Sequence, residues 1–257
     1  MYLNPFDGPR AKIARSHSHF KELLAAQEKY GKAQPLEVTL ELQPNGDTKV
    51  YATAEILPTL EHCTIVADII GNFRSSLDLA VLEACRASGE TCKKKLNKTY
   101  FAVGGSEKDW LNNVENRMSG ANDAIRKTVQ SFQPWKEGGN VLLYALTKIA
   151  AVDKHDYLVP IAANTGSMQI NGLSVKRGDG KLTKFQALTP KWGSSKKIEI
   201  FTIGSPAKVE ITGPCILETR FGFGDVYALA GQPVVPTLNQ MGAMCEKIID
   251  TIEAAVQ

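Results

Sequence analysis

Leu36-Glu37-Val38-Thr39-Leu40-Glu41-Leu42-Gln43 alternates apolar and polar side chains and runs into Pro44-Asn45-Gly46-Asp47, after which Val50 to Leu57 returns. A period of two places Leu36, Val38, Leu40 and Leu42 on one face of a strand, and Asn-Gly between two such runs is a strong hairpin signal. One apolar face of this hairpin is expected to pack on helices. Upstream, Ile13, Phe20, Leu23 and Leu24 recur at helical spacing between Arg10 and Tyr30, with a stop at Gly31. Downstream, Cys63 to Ser88 reads as a long helix ended by Gly89, with Val66, Ile70, Phe73, Leu77, Ala80, Val81 and Ala84 on one stripe.

Shorter helices are predicted over residues 106–118 and 121–132, broken by Gln133-Pro134-Trp135. Another runs from Asn140 to His155. After Pro160 the pattern turns to β. Met168, Ile170, Leu173 and Val175 lead into Gly178-Asp179-Gly180, and Leu182, Phe185 and Leu188 return. Lys197–Ile203, Val209–Leu217 and Asp225–Ala230 read as further strands. Thr237 is expected to cap a last helix carrying Leu238, Met241, Cys245, Ile248, Ile249, Ile252 and Val256. The expected class is α+β: a helical layer or bundle packed against antiparallel β-strands, with a C-terminal helix. Residues 1–160 form a hairpin plus helical bundle in this reading. Residues 161–257 form an antiparallel β segment whose final helix packs back, and a single domain is the alternative.

The chain has 257 residues, 43% of them hydrophobic and 22% charged, enough apolar content for a substantial core. Its net charge of +3 and pI near 8.5 are too weak by themselves to imply nucleic acid. Lys93-Lys94-Lys95, with Lys98 nearby, reads as a solvated loop. Cys63, Cys85, Cys92, Cys215 and Cys245 form no Cys-x-x-Cys and are expected to be free thiols. His17 and His19, two apart, point to different faces of a helix, so no metal site and no cofactor is expected. Met1–Pro9 lacks the pattern of a secretion signal, and no apolar run is long enough to span a membrane. A cytoplasmic location follows as the expectation.

Charge intrudes where the helical stripes should be apolar. Arg74 and Asp78 lie four apart at the edge of one stripe, and Asp153 projects within about 40° of the centre of the other. A carboxylate aimed at a core needs a cation, and Arg74 is the candidate. Two readings stand for Asn72, Arg74, Asp78, Asp153, Lys154 and His155. In the first, Arg74–Asp78 is an ion pair along one helix, Asp153 is a second acceptor, and His155 is a helix-terminal cation. In the second, Arg74 binds an anion, His155 is an acid/base group oriented by Asp153, and Asn72, Asp78 and Lys154 contribute binding contacts.

Asn72-Phe73-Arg74-Ser75-Ser76-Leu77-Asp78, then Gln133-Pro134-Trp135, then Asp153-Lys154-His155 resembles a group of bacterial proteins of uncharacterised function. Their pattern reads H-N-L-R-S-A-L-D-H, Q-P-Y and D-K-H-R, and the likeness covers roughly residues 65 to 157. Its arginine and histidine, with four residues between them, are similar to the motif of the HEPN ribonucleases of bacterial toxin and anti-phage systems. There the two residues act together on the RNA phosphodiester, usually across a dimer. This chain carries Leu79 at the histidine position, Gly71 before Asn72, and Asp156 in place of the final arginine. Leu79 cannot transfer a proton, so His155 would have to act from another helix.

Three functions are therefore expected in turn. The first is a bacterial or phage-related binding or assembly protein with a structural polar cluster between helices, with a protein partner or as a homodimer. The second is a HEPN-like ribonuclease acting on RNA. The third is a small-molecule binder using the β-rich half.

Overall fold

The computed structural model describes residues 4–155, 158–170, 173–176, 185–187, 197–205, 208–211 and 215–256; the side chains of 152–155, 164–170, 173–176, 185–187, 208–211 and 215–217 lie outside the description. The fold is α+β with a C-terminal helix. The chain divides into two compact units. One comprises Met1–Leu23, Cys63–Val159 and Val235–Gln257, and the other Leu24–His62 and Pro160–Val234.

The first unit is helical. It is built from α1 (Asp7–Lys32) up to Leu23, α2 (Leu60–Ala87) from Cys63, α3 (Lys93–Leu96), α4 (Glu107–Arg117), α5 (Asp123–Gln130), α6 (Val141–His155) and α7 (Val234–Ala254). The stripe on α2 is the buried one: Val66, Ile70, Phe73, Leu77, Ala80, Val81 and Ala84 are all in the core. Gly71, Asn72, Ser75 and Ser76 are indifferent helix formers, each costing up to about 1 kcal/mol against alanine. A buried Ile, Leu or Phe contributes about 1.5–3 kcal/mol, so packing outweighs propensity here. Helices α4, α5 and α6 each start on a side-chain cap. Ser106 Oγ accepts the Asp109 N–H (3.2 Å), Asn122 Oδ1 the Ile125 N–H (2.9 Å), and Asn140 Oδ1 the Leu143 N–H (3.0 Å).

The second unit contains β1 (Leu36–Leu42) and β2 (Thr48–Ala54), joined where the hairpin was expected, with Gly46 at φ +83° in the turn. The hairpin does not stand apart from the later strands. β2 pairs antiparallel with β6 (Lys197–Ile203), which also pairs with β5 (Phe185–Ala187), giving the order β1-β2-β6-β5. A division at residue 160 would cut this sheet, because β2 has a partner on each side and needs both to satisfy its backbone. β3 (Ile161–Ile170) pairs with β8 (Cys215–Phe223), and β4 (Leu173–Lys176) with β7 (Lys208–Ile211). The last turns of α1 pack on β8: Gln27 Oε1 accepts the Phe221 N–H at 3.0 Å, and the Tyr30 ring centroid lies 5.1 Å from that of Phe221.

The apolar alternation of β1 is only partly buried: Leu36 is in the core and Val38 and Leu40 are half-buried. As an edge strand β1 leaves Leu42 77% exposed, whereas β2 buries Thr48, Val50, Ala52 and Ala54. Other expectations also change. Of the strand expected over Val209–Leu217, β7 covers Val209 to Ile211 and β8 begins at Cys215, and 212–214 lie outside the described residues. Asp225–Ala230 is a short 3-10 turn at Tyr227–Leu229, where Tyr227 takes φ +42°, outside strand geometry. Helix α7 starts at Val234, so Thr237 is a buried helical residue and not its cap. Pro236 is tolerated because the first turn has no use for its missing N–H. The Gly178-Asp179-Gly180 turn, Leu182 and Leu188 lie outside the described residues.

Candidate functional site

Arg74 sits at the middle of α2, one step off the buried stripe, with its side chain 15% exposed. All three of its nitrogens donate inside the protein. Nη2 lies 2.7 Å from Asp78 Oδ1 and 2.7 Å from the Phe101 carbonyl, Nε is 3.2 Å from Asp78 Oδ2, and Nη1 is 3.3 Å from Thr147 Oγ1. The Asp78 contact is two-pronged, the geometry that a guanidinium offers a carboxylate and an ammonium cannot. Asp78 Oδ1 also accepts the Phe101 N–H at 2.8 Å. The helical pair therefore grips both polar groups of the Phe101 backbone, while the Phe101 ring is fully buried. Thr147, on α6, donates its own hydroxyl hydrogen bond to the Leu143 carbonyl at 2.9 Å.

Of the residues singled out from the sequence, the structure brings Arg74 and Asp78 together. Asn72 is not part of this group: its Nδ2 donates to the Asp68 carbonyl one turn back on its own helix, at 2.8 Å. The backbone of Asp153, Lys154 and His155 ends α6, and their side chains lie outside the described residues, so the expected Arg74–Asp153 contact is outside them too. Phe101 and Thr147 were missed as site residues. Thr147 could have been suspected, because a hydroxyl within an apolar helical stripe needs an acceptor. The Phe101 backbone, in a loop, carries no such signal.

Other titratable groups have structural partners as well. His17 Nε2 is 3.4 Å from Glu246, and Arg10 lies 2.7 Å from Asp250 and 2.6 Å from Glu253. Arg10 and His17 both line a groove of about 320 Å³ with residues of α7. His19 is buried, its Nδ1 2.9 Å from Glu22. His62 occupies the third position of α2, and its Nδ1 accepts the backbone N–H of Thr59 at 2.9 Å, a helix-capping role. Burial beside Tyr30 and Phe221 lowers the His62 pKa below the ordinary imidazole value. Burial pushes the Tyr30 phenol to about 12, and its hydroxyl donates to the Ile56 carbonyl at 2.6 Å.

Burial likewise pushes the Cys85 thiol to about 11 and raises that of Cys245 further, so both stay protonated and are poor nucleophiles at neutral pH. Among the described residues, no cluster of three or more His, Cys, Asp or Glu could hold a metal ion, and no helix is long and apolar enough to cross a membrane. Set beside known protein families, curated proteins and solved structures, the chain matches none of them.

Proposed function

We propose that this is a binding or assembly protein of a bacterial or phage-related system, cytoplasmic, working with a protein partner or a second copy of itself, and that Arg74 is its structural lock. The observation that supports this is the occupancy of Arg74: Nε, Nη1 and Nη2 are all engaged by Asp78, Thr147 and the Phe101 carbonyl. With four of its five N–H donors so engaged, the guanidinium would have to surrender an internal bond to grip a phosphate with two. Each bond to a charged group contributes about 1.5–3 kcal/mol, and the half-buried Asp78 would lose its cation. The likeness to the bacterial family is common to both readings, and that to the HEPN motif belongs to the competing one, in which Arg74 and His155 cleave RNA with Asp153 orienting the imidazole.

One experiment separates the two. Thermal melting of Arg74→Ala, Arg74→Lys and His155→Ala is run beside the parent, with RNA cleavage assayed on the same preparations. A structural lock lowers the melting temperature in both Arg74 variants, because lysine cannot reproduce the fork, and no preparation cuts RNA. A parent that cleaves RNA, with Arg74→Ala and His155→Ala inactive at an unchanged melting temperature, sinks the proposal.

A further inference from the structure

A second arginine in the helical unit is the opposite of Arg74. Arg117, in the last turn of α4, has its guanidinium carbon 4.6 Å from the centroid of the Tyr100 ring. Its Nε is buried with no hydrogen-bond partner. Among the described residues its guanidinium makes no ion pair and no hydrogen bond. Such a group is held by stacking while its donors stay uncommitted. A buried guanidinium N–H without an acceptor is costly. The buried Nε–H carries that cost, and the Nη donors of this half-buried side chain are the ones left for an anion.

Its surroundings are basic. Lys98 is two residues from Tyr100, and Lys93 and Lys94 are exposed, with no ion pair among the described residues. Lys93 and Lys94 lie on the short helix α3 and not in the loop expected for them, and this segment is knit to the chain after Arg117. Glu90 accepts the Cys92 N–H (2.8 Å) and Lys95 Nζ (2.9 Å), and its side chain lies against Gly120. Residues 86–127 hold nine lysines and arginines against five aspartates and glutamates, whereas the whole chain is only +3. The weak global balance thus conceals a local excess.

We propose that Arg117, with Lys93, Lys94 and Lys98, forms a binding surface for the phosphate backbone of a nucleic acid. Phosphate suits a planar guanidinium that can donate two parallel bonds, and exposed lysines without an ion pair among the described residues, in the segment leading to Tyr100, suit a ligand with repeated charge. A lipid surface fits less well. A peripheral membrane site combines cations with an apolar wedge, and Leu111 is the one exposed large apolar residue described within 86–127. The surface would serve whether Arg74 acts as a lock or as an anion site, although the Arg74 bonds to Phe101 help to hold the neighbouring Tyr100 in place.

The test is fluorescence anisotropy of the full chain with a labelled oligouridylate of about 16 nucleotides, titrated at about 50 and 200 mM NaCl. Unlabelled duplex DNA, polyglutamate and phosphatidylserine vesicles serve as competitors. Binding is expected, weakening steeply with salt. Arg117→Gln should weaken it about tenfold, and the exposed double variant Lys93→Glu/Lys94→Glu should abolish it with an unchanged melting temperature. The double variant keeps the test decisive if Arg117→Gln folds poorly. Absence of oligouridylate binding at low salt overturns the proposal. So does full affinity in the folded double variant, or competition by polyglutamate or vesicles as effective as that by nucleic acid.

Discussion

Arg74 and Arg117 stand on either side of a dipeptide, Tyr100-Phe101, and use it in opposite ways. Arg74, with Asp78, takes the Phe101 backbone by its N–H and its carbonyl, and satisfies its own nitrogens in doing so. Arg117 takes only the face of the Tyr100 ring and keeps its donors uncommitted. The contrast teaches that burial of an arginine does not by itself reveal its role. A guanidinium whose nitrogens all donate inside the protein resists exchange, whereas one held by stacking is pre-organised without being satisfied. Because the two residues are adjacent, the lock also positions the platform: a loose Phe101 backbone would let the Tyr100 ring wander under Arg117.

The largest expected effect follows from breaking the lock. Arg74→Ala should destabilise the protein by about 3 kcal/mol, a fall in melting temperature of about 6–12 °C for a chain of this size. It should also weaken oligouridylate binding, as the platform loosens. Normal binding in that variant, measured below its melting transition, would uncouple the two arginines.

Next comes the far end of the same loop. A Cβ on Gly104 would fall 2.3 Å from the Trp110 backbone nitrogen, and backbone cannot swing aside as a side chain can. Gly104→Ala is therefore expected to cost about 2 kcal/mol in a denaturant titration. Arg117→Gln should change stability by less than about 1 kcal/mol, because the stacking it loses is offset by removing a buried donor with no acceptor. A loss as large as that of Arg74→Ala would mean that Arg117 is a second lock and not a platform.

The smallest effect is a pH dependence in the other unit. The native state holds His62 neutral, since its Nδ1 accepts the Thr59 N–H and burial lowers its pKa. Glu61 opposes that shift and Lys29 reinforces it; the neighbouring Tyr30 is a neutral phenol at these pH values. The unfolded chain binds the proton more readily than the native one. Stability should thus be full above the ordinary imidazole pKa and fall as pH drops through it towards the lower native value. His62→Gln should flatten that part of the profile of melting temperature against pH. An unchanged slope in the variant would place the pH dependence elsewhere.

Much of this was legible beforehand, and the failures have physical causes. The α2 stripe and the hairpin turn at Asn45-Gly46 are set by local spacing and backbone freedom, so they survive in the fold. The face of the hairpin that is buried depends on its position in the sheet, and alternation cannot tell an edge strand from an inner one. The Arg74–Asp78 pair is visible as a four-residue spacing, but its grip on Phe101 reaches across 23 residues of sequence. The Lys93–Lys95 run was read as solvated because the tally of charge is small, and a tally does not register which cations are already paired.

The sequence by itself determined the α+β class, the long helices, the hairpin turn and the placement of Arg74 and Asp78 on one helical edge. Each of these rests on interactions within a few residues. Tertiary structure alone decided that β2 lies between β1 and β6, that Thr147 and Phe101 complete the shell of Arg74, and that Arg117 lies over Tyr100. Hydrogen-bond satisfaction is a property of the whole set of neighbours, and those neighbours come from distant parts of the chain.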